Sequence, residues 1–367
     1  MESKVKWVRL GDYIIQRREK NDSNELPIYG VTRDGFIPPK QKEADTSKYN
    51  VFYLNDFVFN PARMEINSIY LNDFCPKAIC SSLYEIFYIK DTNVLLPHFL
   101  HLFLKRAEFA RHCEYIGWGS AREYCRVEDI SDIEIPLPSL SEQQKVVNAW
   151  KAFREIKEQN EAKAAPLMQL CQSYIQELKH KYPAQEIGPY IEEYDLRNKD
   201  SRYKIEDVRG ISIEKKIIDT KANMDGVSLS PYKIFKNGTF CYVTITSRNG
   251  DKITLSLNPD GRDYIVSSSY ITFDVKNSDM ILPEFLYLWF CRPEFDRYAR
   301  FNSWGSAREA FSFDDMKRTE VPIPPLDVQR AIVNIYKCAN EAKQIAAEAD
   351  RLSREICPAL LQHVINH

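Results

Sequence analysis

The motif Trp-Gly-Ser-Ala-Arg-Glu occurs twice in the chain, at Trp118–Glu123 and at Trp304–Glu309. Its residue types suit the binding of a phosphodiester. Glycine lets a ligand approach the backbone closely, a serine hydroxyl and its amide can hold a phosphate, and arginine can form a two-pronged contact with phosphate or guanine. The motif therefore predicts DNA contacts. An alternative stays open, in which Arg122 and Arg308 pair with neighbouring carboxylates and hold the loop to a helix.

Further candidate DNA contacts are basic side chains in predicted loops, where residues on a rigid scaffold usually meet a ligand. For the individual lysines, a solvated surface position is the competing interpretation. The candidates, with the motif residues included, are Arg33, Lys40, Lys42, Arg63, Ser120 and Arg122 in the first half and Arg248, Lys252, Arg262, Ser306 and Arg308 in the second half.

An enzyme that acts on DNA would need a reactive site, and the sequence offers no motif for one. The nearest match to the Asn/Asp-Pro-Pro-aromatic motif of adenine methyltransferases is Asn60-Pro61-Ala62-Arg63, which lacks the second proline and the aromatic residue. No Gly-x-Gly-x-x-Gly loop follows a predicted strand, and no phosphate-binding Walker lysine occurs. Adjacent carboxylates such as Glu192-Glu193 and Asp314-Asp315 are more typical of solvated faces or helix caps. We therefore expect no catalytic residues and no bound cofactor.

Histidine and cysteine spacing predicts no metal site. His98 and His101 lie three apart in a predicted helix without a third ligand of recognised spacing, so packing roles are favoured. The nine cysteines are scattered, and the closest pair, Cys75 and Cys80, has no matching second pair. Scattered cysteines of odd number are typical of a cytoplasmic protein with reduced thiols. Neither a long apolar run nor an apolar leader is visible, so no membrane span or secretion signal is expected.

The formal net charge is −2 at pH 7. A DNA-binding protein is expected to carry a basic face, so the total charge does not support DNA binding. A near-neutral total is still compatible with a positive groove if the acidic residues lie on other faces.

The chain is a repeat with an offset of 186 residues. An ungapped match over about seventy residues indicates one unit written twice. Residues 22–75 and the corresponding stretch near 215–262 read differently, which predicts one scaffold with two different recognition surfaces; an old duplication that has drifted is the alternative. The matching segments include Ser81-Ser82-x-Tyr84 with Ser267-Ser268-x-Tyr270, Leu96-Pro97-x-Phe99-Leu100 with Leu282-Pro283-x-Phe285-Leu286, Pro136-x-Pro138 with Pro322-x-Pro324, and Gln143 with Gln329.

Each copy is predicted to begin with strands and to continue through a short helix. Segments rich in β-branched and aromatic residues predict strands at 49–59, 83–89, 239–246 and 264–275. Short helices are predicted at Pro97–Arg111 and Pro283–Arg297, each with proline in its first turn.

A long helix is predicted next in each copy, since Ala, Glu, Lys, Gln and Leu dominate these segments. Their apolar stripes predict that the two helices pair with each other, antiparallel, as in a coiled coil. Pro166 and Pro358 predict a kink or break in each helix. The residues predicted to form the helix–helix and partner-docking surface are Val147, Trp150, Phe153, Ile156, Ile332, Ile335, Ala339, Ala342 and Ala346.

The sequence thus predicts an α+β fold, with two similar α/β domains separated by a pair of long antiparallel helices in a pseudo-twofold repeat. The predicted domains span residues 1–140 and 183–326, and the predicted long helices span residues 141–182 and 327–367. At about 1.5 Å per residue, a helix of about 40 residues extends about 60 Å.

This order of parts resembles the specificity subunits of type I restriction–modification systems. Trp7–Ile14 is similar to the start of their recognition domains, and Ile135–Val147 is similar to the proline-spaced entry into their conserved helix. Val321–Arg330 matches the same entry, with Val328 where the family usually has glutamate. The resemblance covers essentially the whole chain, although the start of the second domain, near Tyr203–Val208, departs from the pattern and leaves that boundary open.

The resemblance implies that each domain is a target-recognition domain that reads one half of a split, asymmetric site in double-stranded DNA. The paired helices would fix the spacer between the half-sites and dock two modification subunits, which would bring S-adenosylmethionine and methylate adenine. Restriction subunits could join the complex. From the residues alone, two other functions stay open: a self-contained DNA methyltransferase or nuclease fragment, and a helical adaptor that does not bind DNA.

Overall fold

The chain forms two compact units, each of which combines strands, short helices and parts of two long helices. A computed structural model describes residues 5–22, 25–39, 46–117, 124–246, 252–305 and 308–366. Unit 1 comprises residues 1–160 and 344–367, and unit 2 comprises residues 161–343. The mixed helix and strand content confirms the predicted α+β class.

Unit 1 is built around an antiparallel sheet. Its strands are β1 (Lys6–Arg9), β2 (Ile14–Arg17), β3 (Gly30–Thr32), β4 (Gly35–Ile37), β5 (Asn50–Tyr53), β6 (Phe57–Phe59), β7 (Ile69–Leu71), β8 (Lys77–Cys80), β9 (Glu85–Ile89) and β10 (Glu134–Leu137). Its helices are α1 (Pro97–Leu104), α2 (Ala107–Gly117), α3 (Val127–Ser131) and the first part of α4 (Leu140–Lys181). The sheet order is β2-β9-β6-β7, and β3–β4, β5–β8 and β1–β10 form separate antiparallel pairs.

Unit 2 repeats this topology element by element. Its strands are β11 (Ala184–Glu186), β12 (Ile191–Tyr194), β13 (Arg209–Ile211), β14 (Ile217–Asp219), β15 (Lys233–Phe235), β16 (Phe240–Val243), β17 (Leu255–Leu257), β18 (Tyr264–Val266), β19 (Tyr270–Val275) and β20 (Glu320–Pro322). Its helices are α5 (Pro283–Phe290), α6 (Pro293–Phe301), α7 (Phe313–Lys317) and the first part of α8 (Leu326–Asn366). The sheet order is β12-β19-β16-β17, with β13–β14, β15–β18 and β11–β20 as the pairs.

The same aromatic pair lies in the core of each unit. Phe57 on β6 is opposite Phe87 on β9, and their stacked rings are 4.8 Å apart. In unit 2, Phe240 on β16 is opposite Phe273 on β19, again with 4.8 Å between ring centroids. All four side chains are fully buried. Cross-strand aromatic pairs of this kind stabilise a sheet beyond the burial of their area, which explains why the repeat retains them.

A buried glutamine connects each long helix to the short helix of its unit. The Gln143 Oε1 atom accepts a hydrogen bond from the Leu96 amide at 2.8 Å, and Nε2 donates to the carbonyls of Val94 and Pro138, both at 3.0 Å. In unit 2 the Gln329 side chain accepts from Leu282 at 2.8 Å and donates to Met280 at 2.9 Å and to Pro324 at 2.8 Å. Both glutamines are 0% exposed. A glutamine supplies both an acceptor and two donors at one point, so this geometry explains its presence in both copies.

The two long helices are antiparallel within each unit, as expected. In unit 1, Lys157 of α4 donates to Asp350 of α8 at 2.8 Å, and the start of α4 shares a core with the end of α8. In unit 2, Cys171 of α4 contacts the Ile332 carbonyl of α8 at 3.8 Å. The helices span Leu140–Lys181 and Leu326–Asn366, beside the predicted 141–182 and 327–367; the division into domains at those positions stays a prediction.

Both long helices continue through their prolines, so neither proline causes the predicted break, and a kink at either proline stays a prediction. Each proline removes one main-chain donor, at a cost of about 3 kcal/mol. Buried neighbours such as Ala164 and Cys357 contribute packing that offsets this cost. Among the described residues, no helix has the length and apolar character needed to cross a membrane.

Two predicted strands are each divided by a turn. The segment 49–59 forms β5 and β6, because Asn55 between them adopts a left-handed backbone with φ 68°. The buried Asp56 carboxylate then accepts from the Tyr53 amide at 2.8 Å and closes the turn. The segment 264–275 forms β18 and β19, which are separated by a turn of serines.

The two predicted short helices are each a pair of helices. Residues 97–111 belong to α1 and α2, and residues 283–297 belong to α5 and α6. In unit 2 the break follows from Pro293, which lacks the amide that would continue α5. In unit 1 the break at Lys105 and Arg106 has no proline to predict it.

Candidate nucleic-acid interface

The described residues of the second copy of the repeated motif follow α6 and are held together by backbone and ionic contacts. Trp304 and Ala310 exchange two backbone hydrogen bonds, at 3.1 and 3.0 Å. Glu309 forms an ion pair with Arg300 of α6. Gly305 has φ +141°, and a Cβ there would collide with a backbone carbonyl three residues later. The motif's glycine and glutamate therefore shape the loop itself.

The tryptophan and arginine of this loop lack a comparable role among the residues that the structure describes. Trp304 is 68% exposed. Arg308 is exposed, and the neighbouring Glu309 pairs with Arg300 instead. These exposed groups suit contact with a ligand. Several predicted contacts lie outside the described residues: Ser306, the whole first motif with Ser120 and Arg122, and also Lys40, Lys42 and Arg248.

The remaining predicted contacts in unit 1 lie next to the β3–β4 hairpin. Arg33 is exposed in its two-residue turn, and Arg63 is exposed in the 3₁₀ turn after β6. Ser68 connects the two, because its amide donates to the Arg63 carbonyl at 3.1 Å and its hydroxyl donates to the Val31 carbonyl at 3.0 Å. The fold thus places both predicted arginines on connected segments.

The remaining predicted contacts in unit 2 lie next to the equivalent hairpin, β13–β14. The Tyr264 ring contacts the guanidinium of Arg262 at 4.8 Å and that of Arg209, on β13, at 4.7 Å. Lys252 is exposed. The carbonyl of the next residue, Ile253, accepts a hydrogen bond from the ammonium of Lys215 in the hairpin at 3.4 Å. Arg262 and Lys252 stay predicted contacts, now placed around one hairpin.

Lys105 fixes the turn of the hairpin in unit 1. Its ammonium donates to the carbonyls of Arg33 and Ile69, both at 2.6 Å, and to the carbonyl of Asn67 at 3.3 Å. It also lies 4.9 Å from the centre of the Tyr70 ring. Burial lowers the pKa of Lys105 to about 7, although the nearby Asp34 carboxylate acts in the opposite direction. One side chain at the end of α1 therefore holds two segments of the β region.

Lys215 fixes the hairpin of unit 2 from the opposite side. It lies in the loop between β13 and β14 with φ +62°, and its ammonium forms an ion pair with Asp296 of α6. Its own carbonyl accepts from the Tyr287 hydroxyl at 2.8 Å and from the Ser256 hydroxyl at 2.9 Å. Lys215 is 3% exposed, so its ion pair with Asp296 lies inside the unit.

A polar cavity of about 680 Å³ lies beside the hairpin turn of unit 1. Arg33, Asp34 and Lys105 line it on the hairpin side, and Arg106 and Arg354 add positive charge. Lys105 therefore ties the turn to α1, and the cavity leaves open space beside the turn. A change at the turn could be accommodated by movement into this space.

The predicted helix–helix and docking residues differ in exposure. Buried positions are Val147, Ile332, Ala339, Ala342 and Ala346, half-buried positions are Trp150, Phe153 and Ile335, and Ile156 is 41% exposed. The buried members serve packing within the chain, whereas Ile156 presents apolar surface to solvent. Their part in docking a partner stays a prediction.

The α1 histidines pack against Trp150, in line with the packing role expected for them. Their rings lie 5.6 Å (His98) and 6.2 Å (His101) from the Trp150 ring. Burial lowers the pKa of His101 to about 3. Burial alone would raise the pKa of Asp73, but hydrogen bonds from His98 and Arg154 outweigh it and lower that pKa to about 2. No group of three or more potential metal ligands occurs in the described ranges.

No sequence pattern singles out Lys105, Lys215 or Asp296. The repeat gives no signal for them, because Lys105 aligns with Cys291 and Asp296 aligns with Ala110. An acidic residue in the first turn of a helix is also ordinary. Only the three-dimensional contacts reveal these residues.

Comparison with known proteins gives a family match over most of the chain. A model described as "Type I restriction modification DNA specificity domain" matches residues 7–165 and 181–347. The fold is similar to that of a type I restriction–modification system S subunit from M. genitalium, with a TM-score of 0.65 and 16% identity over 99% of this chain and 97% of that chain. The HsdS subunit from Thermoanaerobacter tengcongensis also matches, with a TM-score of 0.42 and 17% identity over 100% of this chain and 97% of that chain. No curated protein matches the sequence significantly.

Proposed function

The chain belongs to the type I restriction modification DNA specificity family and is a DNA specificity subunit, and from this premise we propose that each of its units reads one half of a split, asymmetric DNA site. The observation that carries this proposal is a repeated topology with unlike hairpins. The β3–β4 hairpin has a two-residue turn, whereas β13–β14 has a five-residue loop of different sequence. Two reading surfaces on one scaffold are what an asymmetric site requires.

The exposed side chains of these hairpins have the chemistry for reading base edges. The major groove admits a two-stranded β-ribbon, arginine pairs with guanine, and a carboxylate accepts from the cytosine amino group. Arg33 and Asp34 supply these groups in unit 1, while Glu214 and Ile213 are exposed in the loop of unit 2. Because the net charge of the chain is −2, affinity must come from local basic side chains such as Arg63 rather than from the total charge.

A salt-titrated binding assay with duplex DNA tests this proposal. Phosphate contacts release counterions, so affinity should fall steeply as salt rises. Arg33→Ala should reduce discrimination between sequences by about 5- to 100-fold, the range of one bidentate base contact, with a smaller effect on nonspecific DNA. Lys276→Met, a change at an exposed lysine after β19, is the control. No measurable binding of duplex DNA even at low salt, where phosphate contacts are strongest, would instead favour an adaptor that does not bind DNA.

The catalytic step belongs, in this proposal, to partner proteins. Two modification subunits would dock on the chain, one for each copy of the repeat, and they would bind S-adenosylmethionine, while this chain would bind no cofactor and transfer no methyl group. Restriction subunits could join the same cytoplasmic complex. Incubation of the purified chain with labelled S-adenosylmethionine and DNA should give no transfer until a modification subunit is added. The mass of the reconstituted complex should correspond to two modification subunits for each specificity chain.

A further inference from the structure

We propose that Lys105 and Lys215 are positioning residues for DNA reading, each of which fixes the exposed hairpin of its unit and so determines which bases that hairpin contacts. This inference rests on the proposed function. It assigns a role to two buried or half-buried lysines that make no direct contact with DNA themselves.

In unit 1, the contact acts at the residue that would read the DNA. Lys105 donates to the backbone carbonyl of Arg33, and the same ammonium binds Ile69 on β7 and Asn67 before it. The side chains of Arg33 and Asp34 in this turn are exposed. The three hydrogen bonds of Lys105 tie the turn to the end of α1 and to the segment around β7, and open space lies beside the turn, so the loss of Lys105 would let the turn move.

In unit 2, the lysine lies in the hairpin loop and its acidic partner lies in helix α6. Lys215 extends from the β13–β14 loop to the Asp296 carboxylate, which also accepts from the Ile253 amide at 3.1 Å. The exposed residues Ile213 and Glu214 directly precede it. Their positions are therefore set by a lysine whose ammonium, carbonyl and backbone conformation are all fixed within the unit.

The two contacts did not arise by copying one another. The lysine stands on the helix side in unit 1 and on the hairpin side in unit 2, and Lys105 and Asp296 align at the repeat offset with Cys291 and Ala110. Each unit therefore fixes its hairpin with different residues, which indicates that the fixed position serves the function of the hairpin. A shared requirement of the scaffold would have been met by shared residues, as Gln143 and Gln329 show.

Stability is a weak explanation for such contacts. Apolar residues of similar volume often replace a buried ion pair without loss of stability, and a polar contact can instead specify one geometry. The Lys215–Asp296 pair is enclosed in this way. A fixed geometry is what base reading needs, because a bidentate contact is sensitive to small displacements of the backbone.

The experiment is adenine-methylation mapping in cells that contain the modification subunit and one version of the full chain. Lys105→Met should relax discrimination at one or two base pairs of one half-site by about 5- to 100-fold, the range of one misplaced bidentate contact, and leave the other half-site unchanged. Lys215→Met combined with Asp296→Leu should do the same in the other half-site only. The double change avoids an unpaired buried carboxylate, and urea unfolding confirms that the variant folds.

Two controls separate a positioning role from a merely structural one. Lys105→Arg, which keeps a charged donor, should restore much of the discrimination, and Lys276→Met should have no effect. Lower methylation with an unaltered recognition sequence in both variants would overturn the inference, as would altered reading of both half-sites by one variant. If the wild-type chain directs no bipartite methylation, the proposed function itself fails; if it does and the variants read the same sequence, only the inference fails.

Discussion

Replacing Gln143 with alanine removes every contact that this side chain makes between the start of α4 and the segment before α1. The buried Leu96 amide loses its acceptor, and the carbonyls of Val94 and Pro138 each lose a donor. An unsatisfied buried group costs about 1–3 kcal/mol, and an orphaned amide is rarer, hence worse tolerated, than a carbonyl. We therefore expect unit 1 to lose about 3–5 kcal/mol of unfolding free energy, which corresponds to roughly 6–20 °C in melting temperature.

Urea titration followed by hydrogen exchange, resolved by peptide, measures this loss in each unit separately, since two units need not unfold together. Gln144→Ala is the matched control, because Gln144 is an exposed neighbour whose side chain donates to Asn148 on the same helix at 2.7 Å; it should cost under about 0.5 kcal/mol. Gln329→Ala should produce the equivalent loss in unit 2 and spare unit 1. Equal destabilisation of unit 1 by Gln143→Ala and Gln144→Ala would refute the role assigned to the Gln143 side chain.

Burial holds the pKa of His101 at about 3 instead of 6.5, so between these pH values the unfolded chain binds a proton that the folded chain does not. Unit 1 therefore loses up to about 1.4 kcal/mol of unfolding free energy per pH unit on acidification. Urea titrations at pH 7 and pH 5 should show a smaller loss for His101→Gln than for the wild-type chain, and equal losses would contradict the assignment. Gly305→Ala should destabilise the motif loop by about 1–3 kcal/mol. Gly226→Ala should destabilise its own loop less, because nothing lies within 4 Å of the added Cβ. Hydrogen exchange of the two loops measures the difference, and equal exchange would refute the steric clash at Gly305. Removing seven residues from both α4 and α8 shortens each by about 10 Å, or about three base pairs; methylation mapping that finds an unchanged spacer would show that the helices do not set it.

The sequence predicts the repeat and the long helices well because both are written in many residues. The offset of 186 residues aligns framework positions such as Gln143 and Gln329, and the structure gives both the same three hydrogen bonds. Helical composition extends over the whole of α4 and α8, so a single proline could not end either helix. Signals that are distributed over tens of residues survive local exceptions.

Local breaks are harder to predict because they depend on single residues in a three-dimensional context. Asn55 divides a continuous apolar segment only because its left-handed backbone is combined with the buried Asp56 carboxylate. The end of α1 and the start of α2 lie on either side of Lys105, whose side chain donates to backbone carbonyls far away in sequence. Backbone acceptors occur at every residue, so no sequence pattern identifies those that a lysine will reach.

In the candidate site, too, some features could be predicted from the sequence and others could not. The motif's glycine and glutamate are explained by the loop geometry, and the exposed Trp304 and Arg308 keep the potential for contact that their residue types predict. By contrast, the hairpins became candidates through Arg33 alone, and their fixing lysines were invisible because the two copies use different residues. Comparison of the two copies identifies the residues that they share, and it cannot identify the contacts that each copy makes with different residues.

Adenine-methylation mapping of cells that contain the modification subunit, with and without this chain, tests the central claim most directly. If each unit reads one half-site, methylation appears only with the chain present and lies in a sequence of two unlike parts separated by a spacer of fixed length. Methylation that is identical without the chain, or that lies in one continuous symmetric sequence, would contradict the assignment of one half-site to each unit.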